Sequence, residues 1–341
     1  MDIVVLCGGL GNERDVSITS GSGVARALRR NGHRVVLLDL FFGYSGELSA
    51  PHAVFSSPQN DLDYKVSDTV PDLNALLAQR SGKGTIGAGV LEICAAADIV
   101  FLALHGADGE NGRIQATLDV HGIKYTGCGY LGSALAMNKS ISKKLFANAG
   151  VLSPAGITIK KDAVRSPVAL PCVVKPCSGG SSVGTSIVNS PEEYNSALDL
   201  AFKYEDNVIV EQYIKGRELT VGVLDGKIMP IIEIIPLVGF YDYKNKYQAG
   251  LTKELCPAPL DPDTSKRLGD AALRAGEALM LDSYYRADFL MDPAGKIYCL
   301  EANTLPGMTP TSLIPQMALE LGLDFGELCE KIIEVSLRKY E

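Results

Sequence analysis

Short apolar runs alternate with helix-like segments through the first 125 residues, and this alternation restricts the fold more than any other feature. Residues 3–7 form an unbroken apolar run that ends at two glycines. Residues 17–30 follow with apolar side chains at helical spacing, and further apolar runs occupy 35–39, 99–104 and, briefly, 123–125. Apolar strands separated by helices are typical of a parallel sheet that is covered on both faces. The pattern therefore predicts an N-terminal parallel α/β unit.

The sequence changes character near residue 128. A helix is predicted at about 130–149, and shorter strands and helices follow it. The predicted strands are 156–159, 172–175, 186–188, 208–211, 218–224 and 228–235, with a helix at 191–203, a loop at 238–256, a helix at 263–281 and a β-hairpin at 284–303. Three domains are predicted, at 1–127, 128–211 and 212–341, and residues 41–83 are expected to be irregular.

Composition and charge exclude several classes of protein. The net charge is −8, whereas a nucleic-acid-binding protein shows a basic face. The eight cysteines are scattered without a Cys-x-x-Cys pair, which argues against zinc and favours a reducing compartment. The N-terminal apolar run lacks a preceding basic segment, and no apolar run approaches the roughly 20 residues of a membrane span. A cytoplasmic protein without nucleic-acid or membrane partners is expected.

The C-terminal hairpin carries polar side chains at alternate positions. Because strand residues repeat their face at every second position, Arg286 and Asp288 share a face, and so do Glu301 and Asn303. A turn centred near Ala294 places Asp288 roughly opposite Glu301. Two carboxylates and an amide that converge in this way suit Mg²⁺, which prefers oxygen ligands. The alternative is a solvated polar face on an edge hairpin.

Two glycine-rich segments are candidates for anion binding. A predicted strand ends at Lys175, and a Gly/Ser loop follows up to Gly184, where backbone N–H groups and an ammonium could hold a phosphate. This loop is not a Walker A motif, and a plain turn is the alternative. The second segment, residues 8–13, follows the first strand and ends with Glu13 at the start of a helix. Acidic residues are also common in this position as simple helix stabilisers.

The segment 127–132 matches the Gly-x-Gly-x-x-Gly pattern of dinucleotide-binding proteins. That fingerprint also requires an acidic residue about 20 positions further on. Residues 145–153 contain none. A tight turn into a helix is therefore favoured over a dinucleotide-dependent oxidoreductase.

Taken together and in order, these segments resemble the D-alanine–D-alanine ligases of the ATP-grasp superfamily. The resemblance covers nearly the whole chain and is least clear at residues 41–97. The matching segments are 11–17, 105–112, 137–139, 175–184, 211–214, 240–247, 286–288 and 301–313. It implies an α/β (α+β) fold of three domains, in which an N-terminal parallel-sheet domain precedes two antiparallel-sheet domains that clamp ATP. It further implies that two D-alanines are joined through a D-alanyl phosphate, for peptidoglycan precursor synthesis, in a cytoplasmic homodimer.

The resemblance also assigns roles to individual residues. ATP, the co-substrate, would contact Lys139, Lys175, Ser182, Glu211, Ile214, Glu218 and Lys246. Asp288, Glu301 and Asn303 would hold two Mg²⁺, with Mn²⁺ able to substitute. The catalytic residues would be Glu13, Ser181, Tyr247, Arg286 and Ser312, and D-alanine would contact Glu13, Val16, His105, Arg286, Gly307, Ser312 and Leu313. The loop 238–256, with Lys246 at its centre, would close over the site.

The sequence departs from the family pattern at three positions, with Asn138 and Asn111 where Asp is usual and Gln212 where a basic residue is common. None of these changes removes a catalytic group, although the affinity for the nucleotide could differ. Tyr247 favours a ligase that makes D-Ala–D-Ala, and a D-Ala–D-Ser ligase, or another D-Ala–D-X ligase, is the alternative within the family. A catalytically silent ATP-binding module is disfavoured because the three metal-ligating residue types are all retained.

Overall fold

The structure, a computed structural model, describes residues 1–46, 48–56, 71–80, 82, 84–163, 168–237 and 250–341, with only the backbone at 107–108. Its N-terminal part is a parallel sheet made of β1 (Asp2–Cys7), β2 (Arg34–Asp39) and β3 (Ile99–Leu102) in the order β2-β1-β3. Helix α1 (Arg14–Arg30) connects β1 to β2 and begins three residues before the predicted start. Glu13 therefore lies directly before the helix N-terminus.

Short elements complete the N-terminal part. They are a 3-10 helix (Pro51–Ser56) and helices α2 (Leu73–Ala78), α3 (Val90–Ala95), α4 (Ala107–Glu110) and α5 (Arg113–Val120). The short strand predicted at 123–125 is reduced to a single parallel bridge between Tyr125 and Val100. Of the region predicted to be irregular, 41–83, residues 57–70 lie outside the described residues, and the described part contains the 3-10 helix and α2.

The helix predicted at 130–149 is wrong in one respect, because the structure divides it into α6 (Tyr130–Met137) and α7 (Lys139–Asn148). Asn138 adopts an extended conformation between them, and its side chain accepts hydrogen bonds from the backbone N–H groups of Ser140 and Ile141. This is a helix N-cap, a position that Asn favours. The cap starts a new helix whose first residue is Lys139.

A four-stranded antiparallel sheet follows. Its strands β4 (Gly156–Lys160), β5 (Cys172–Pro176), β6 (Ser186–Val188) and β7 (Asn207–Gln212) lie in the order β4-β7-β5-β6. Alternate residues such as Val174 and Val210 are buried against helix α8 (Pro191–Ala201). Because strand side chains alternate between faces, Lys175 and Glu211 point to the opposite side of the sheet.

The last part is an antiparallel six-stranded sheet. It contains β8 (Arg217–Leu224), β9 (Lys227–Ile228), β10 (Ile232–Pro236), β11 (Thr252–Leu255), β12 (Tyr284–Met291) and β13 (Ile297–Asn303), with helices α9 (Pro262–Ala278), α10 (Leu313–Glu320) and α11 (Phe325–Leu337) and a final 3-10 turn (Arg338–Tyr340). The strand predicted at 228–235 is in fact two strands, β9 and β10. The end of the loop predicted at 238–256 is strand β11, and residues 238–249 lie outside the described residues. The α/β class, with a parallel sheet followed by antiparallel ones, is confirmed.

The hairpin β12–β13 contains a β-bulge. Asp288 pairs with Glu301, as predicted, but the next pair is Phe289 with Cys299, so that Leu300 is the additional residue. A bulge presents two consecutive side chains on one side of a strand. Leu300 and Glu301 accordingly both face the cleft described below. Within the described ranges, no helix combines the length and hydropathy needed to cross a membrane.

Candidate active site

A cleft of about 600 Å³ separates the four-stranded from the six-stranded sheet. One wall is made by the faces of β5 and β7 that turn away from helix α8, and the other by β8, β10, β12 and β13. The volume lies within the range of small-molecule binding sites. The described residues that the sequence assigned to ATP all line this cleft: Lys139, Lys175, Ser182, Glu211, Ile214 and Glu218.

Helix α7 brings two lysines into contact with both sheets. Lys139 and Lys143 are four residues apart and so share a helix face. The ammonium of Lys139 lies 3.0 Å from Glu301 Oε2 on the six-stranded sheet and donates to the Gly179 carbonyl at 2.6 Å. Burial lowers the pKa of Lys139, but the charge and hydrogen bond of Glu301, with the charge of Glu211, outweigh burial and raise this pKa. Lys143 contacts the other sheet, where it donates to Glu211 and to the Pro154 carbonyl.

The Gly/Ser loop between β5 and β6 crosses one end of the cleft. Ser181 and Ser182 have positive φ angles of 48° and 58°, a backbone conformation that is uncommon for residues other than glycine. Lys175 lies at the end of β5, where it pairs with Glu211 at 2.5 Å. Lysine side chains and a tight glycine–serine loop at one end of a cleft are suited to binding phosphate groups.

The hairpin β12–β13, which carries Asp288 and Glu301, faces this loop across the cleft. The carboxylate of Asp288 accepts hydrogen bonds from Thr220 Oγ1 at 2.6 Å, from Asn303 Nδ2 at 2.9 Å, and from the guanidinium of Arg286 at 2.8 and 2.9 Å. Glu301, its cross-strand neighbour, pairs with Lys139. Arg286 and Lys139 thus offset two carboxylates that would otherwise repel each other.

The chemistry of these donors suits a hard divalent cation. No group of three or more His, Cys, Asp or Glu side chains with metal-site geometry occurs in the part of the chain that the structure describes. A metal held by Asp288 and Glu301 therefore also needs the Asn303 amide and oxygen atoms from a substrate. Mg²⁺ is commonly bound in this way, through one or two carboxylates and substrate phosphates.

A smaller cavity of about 80 Å³ adjoins the cleft, with which it shares Gly180, Ser181 and Glu301. It is lined by the described residues that the sequence assigned to D-alanine: Glu13, Val16, His105, Arg286, Gly307, Ser312 and Leu313. The hydroxyl of Ser181 donates a hydrogen bond to Glu13 Oε1 across 168 positions of sequence. The two cavities therefore meet at a contact between the N-terminal part of the chain and the Gly/Ser loop.

Glu13 is enclosed by glycines on two sides. A Cβ atom at Gly106 would lie 2.4 Å from Glu13 Oε2, and one at Gly180 would lie 2.8 Å from the same oxygen. Both glycines are needed because a side chain at either position would displace the carboxylate. A carboxylate held in this way at the wall of a small cavity can bind an ammonium group.

His105 supports the floor of the smaller cavity as a neutral imidazole. Its Nδ1 lies 2.9 Å from the Leu305 carbonyl, which can only accept, and its Nε2 lies 2.9 Å from Ser20 Oγ. The Ser20 oxygen accepts from the Met308 N–H at 3.2 Å, and its hydroxyl donates to Nε2 when the neutral ring carries its proton on Nδ1. Burial lowers the pKa of His105, which agrees with this tautomer. The network joins helix α1 to the loop that follows β13.

That loop also shapes the far end of the small cavity. Ser312 lies at the N-cap of helix α10, and its hydroxyl accepts from the Thr309 N–H at 3.0 Å. A Cβ atom at Gly307 would lie 2.7 Å from Ser312 Oγ, so glycine is required for the close approach. A helix N-terminus next to a hydroxyl group favours a carboxylate.

Sequence reasoning gave no role to two half-buried ionisable residues of the site. Glu110 Oε1 accepts from the backbone N–H groups of Thr304 and Leu305, each at 3.0 Å, and Oε2 accepts from Gly106 N–H at 3.0 Å. Lys143 is the other, through its contact with Glu211. Glu110 lies in the segment 105–112 that resembles the family, so the sequence did contain a signal for this residue. For Lys143 the sequence offered only its spacing of four residues from Lys139.

Two predictions lie outside the described residues, namely Lys246 and Tyr247. The Gly127–Gly132 motif is described and forms a packed turn. A Cβ atom at Gly127 would lie 2.9 Å from Leu305, and one at Gly132 would lie 2.7 Å from the Met280 carbonyl. Protein atoms thus occupy the space at Gly127 and Gly132, whereas the space at Gly129 is open, and two of the three glycines serve close packing.

Comparison with known proteins agrees with the geometry. The family models described as the N-terminus and the C-terminus of D-ala D-ala ligase match residues 2–128 and 151–334. A D-alanine--D-alanine ligase from Pediococcus pentosaceus is 42% identical over 349 residues, covering 100% of this chain and 99% of the relative. A Bacillus anthracis D-alanine--D-alanine ligase complexed with ATP matches with a TM-score of 0.75 and 31% identity, over 99% of this chain and 98% of that one. VanG, a D-Ala:D-Ser ligase from Enterococcus faecalis, matches with a TM-score of 0.75 and 30% identity, over 98% and 99%.

Proposed function

The chain belongs to the D-alanine–D-alanine ligase family, and we propose that it joins two D-alanine molecules at the expense of ATP, through a D-alanyl phosphate. One observation carries this proposal. A cleft of nucleotide size opens into a cavity of amino-acid size at Gly180, Ser181 and Glu301. A phosphoryl group in the cleft and a carboxylate in the cavity can therefore meet at one place, as phosphoryl transfer between them requires.

In this proposal the nucleotide lies in the cleft with its phosphates near Lys139, Lys175 and Ser182. Glu211 and Ile214 contact the adenine, and Glu218 contacts the ribose. Asp288, Glu301 and Asn303 would hold two Mg²⁺, for which Mn²⁺ would be able to substitute. Bound Mg²⁺ would neutralise charge on the β- and γ-phosphates. The donor set described above supports this assignment.

The residues of the small cavity then have distinct tasks. Glu13 binds the ammonium of the first D-alanine, beside Val16 and His105, and Ser181 orients Glu13. The carboxylate of this D-alanine attacks the γ-phosphorus, ADP leaves, and the acyl phosphate has a good leaving group. The neutral amine of the second D-alanine, whose carboxylate is held by Ser312 and Leu313, attacks the carbonyl carbon. Arg286 and the Gly307 N–H stabilise the tetrahedral oxyanion, and phosphate departs with the proton that the amine loses.

The family resemblance supports the remaining proposals. The chain divides into domains at 1–127, 128–211 and 212–341, and acts as a homodimer. The segment before β11, which carries Lys246 and Tyr247, is proposed to close over the acyl phosphate, because water would otherwise hydrolyse the intermediate. The use of ATP and the eight free cysteines favour a cytoplasmic location. The activity of the family supplies precursors of peptidoglycan.

A D-Ala–D-Ser ligase is the second candidate, since VanG matches nearly all of the chain. One assay separates the two functions. The purified protein is given ATP, Mg²⁺ and equal amounts of D-alanine, D-serine and D-lactate, and the products are weighed by mass spectrometry. An excess of D-Ala–D-Ala is expected. An excess of a mixed product would support the second candidate, and a folded protein without D-alanine-stimulated ADP release would contradict both.

A further inference from the structure

Three charged side chains form a continuous chain behind the nucleotide cleft. Lys175 pairs with Glu211 Oε1 at 2.5 Å, and Lys143 pairs with the other oxygen of the same carboxylate, Oε2. Lys175 and Glu211 line the cleft, whereas Lys143 reaches Glu211 from helix α7 and does not itself line it. Lys143 also donates to the Pro154 carbonyl at 2.6 Å, which fixes its position independently of any ligand.

The carboxylate of Glu211 depends on both cations. Glu211 is 3% exposed, so that water cannot solvate its charge. Burial by itself would raise the pKa of Glu211, but the charges and hydrogen bonds of Lys175 and Lys143 outweigh burial and lower it. Removing one partner of a buried ion pair leaves an uncompensated charge, which costs more than the pair contributes.

The two lysines are expected to make different contacts when a nucleotide binds. In the proposed function, Lys175 turns toward the phosphates and its hold on Glu211 weakens. Lys143 does not line the cleft, and its ammonium is held by the Pro154 carbonyl. It can therefore keep Glu211 ionised and in place while Lys175 serves the phosphates.

We propose that Lys143 is a positioning residue that releases Lys175 for the triphosphate and keeps Glu211 as a hydrogen-bond acceptor for the amino group of the base. This inference rests on the proposed function, in which the cleft binds ATP. An ionised Glu211 accepts from the 6-amino group of adenine and opposes the 6-oxo group of hypoxanthine. Lys143 thereby contributes to nucleotide specificity without touching the nucleotide.

The test compares ATP with inosine triphosphate as phosphoryl donor for D-alanine ligation. In Lys143→Met, kcat/KM for ATP is expected to fall about 10- to 100-fold, mainly through KM, while the preference for ATP over inosine triphosphate falls at least about tenfold. General damage to the fold would lower kcat/KM equally for ATP and for inosine triphosphate, and would leave the ratio of the two values unchanged. Lys144→Met is the matched control, because Lys144 is the next residue of the same helix and is exposed.

A double variant shows whether Lys143 acts through Glu211. Glu211→Gln should itself lose the ATP preference, and adding Lys143→Met should then change the ratio little. Lys143→Gln, which keeps N–H donors for Pro154 but not the charge, replaces Lys143→Met if the latter does not fold, and the same loss of preference is expected. An unchanged ratio in a folded Lys143 variant, or an additive loss in the double variant, would overturn the inference. An inactive wild type would instead contradict the proposed function.

Discussion

The contact between Gly180 and Glu13 allows a substitution that disturbs the amino-acid site without disturbing the fold. A Cβ atom at position 180 would lie 2.8 Å from Glu13 Oε2, whereas such contacts are seldom shorter than 3.4 Å, so the carboxylate must withdraw by about 0.6 Å. The group that must move is the end of a flexible side chain. Gly180 has no positive φ angle, so alanine is tolerated by the backbone. We therefore expect Gly180→Ala to fold normally.

The functional cost follows from what Glu13 loses. Its hydrogen bond from Ser181 is broken or weakened, and a hydrogen bond to a charged group contributes about 1.5–3 kcal/mol. A displacement approaching 1 Å in a catalytic site can reduce the rate about 100-fold. We expect kcat/KM for D-alanine to fall about 10- to 100-fold, which corresponds to about 1.4–2.7 kcal/mol. The KM for ATP should stay close to the wild-type value, because the cation pairs in the cleft are untouched.

The assay is D-alanine-dependent release of ADP, measured over a range of D-alanine concentrations at saturating ATP. Gly179→Ala is the matched control, since a Cβ atom at position 179 would meet Pro176 at 3.4 Å and the Val183 carbonyl at 3.7 Å, both ordinary contact distances. The control should retain wild-type dependence on D-alanine. Wild-type kcat/KM for D-alanine in Gly180→Ala, or an equal loss in both variants, would refute the reasoning.

Two further predictions concern the charged groups around the site. Glu301→Gln removes the charge that faces Lys139 and the proposed metal site, so D-alanine-dependent turnover should fall at least about 100-fold at any Mg²⁺ concentration; turnover near the wild-type rate would contradict the metal assignment. Burial, followed by the charge of Glu13, raises the pKa of Glu110 from 4.5 to about 7. Between these values the folded protein holds a proton that the unfolded chain has lost, so the stability that Glu110 contributes is greatest below pH 4.5 and is lost as the pH rises through 7. Relative to wild type, Glu110→Gln should lose about 2–3 kcal/mol of this pH dependence between pH 5 and 8, measured by urea unfolding, and identical pH profiles would contradict the assignment.

Much of the secondary structure and part of the site could be predicted because their signals are local. The register that sets Asp288 opposite Glu301 depends on a turn and a two-residue period, both readable in a single hairpin. The bulge at Leu300 could not be predicted from the hairpin sequence, because the alternating pattern of a strand does not reveal one additional residue. The break at Asn138 did have a local signal, since Asn is a favoured N-cap, and the helix prediction overlooked it.

What the sequence by itself determined is the set of elements and the recognised motifs, because hydrophobic period, glycine turns and motif spacing act over a few residues. Only the tertiary structure decided which side chains meet. Ser181 reaches Glu13 across 168 positions, His105 reaches Leu305 across 200, and Lys143 reaches Glu211 across 68. Such contacts depend on how three sheets and the helices between them pack. Packing is a property of the assembled surfaces, and no short segment of sequence encodes it.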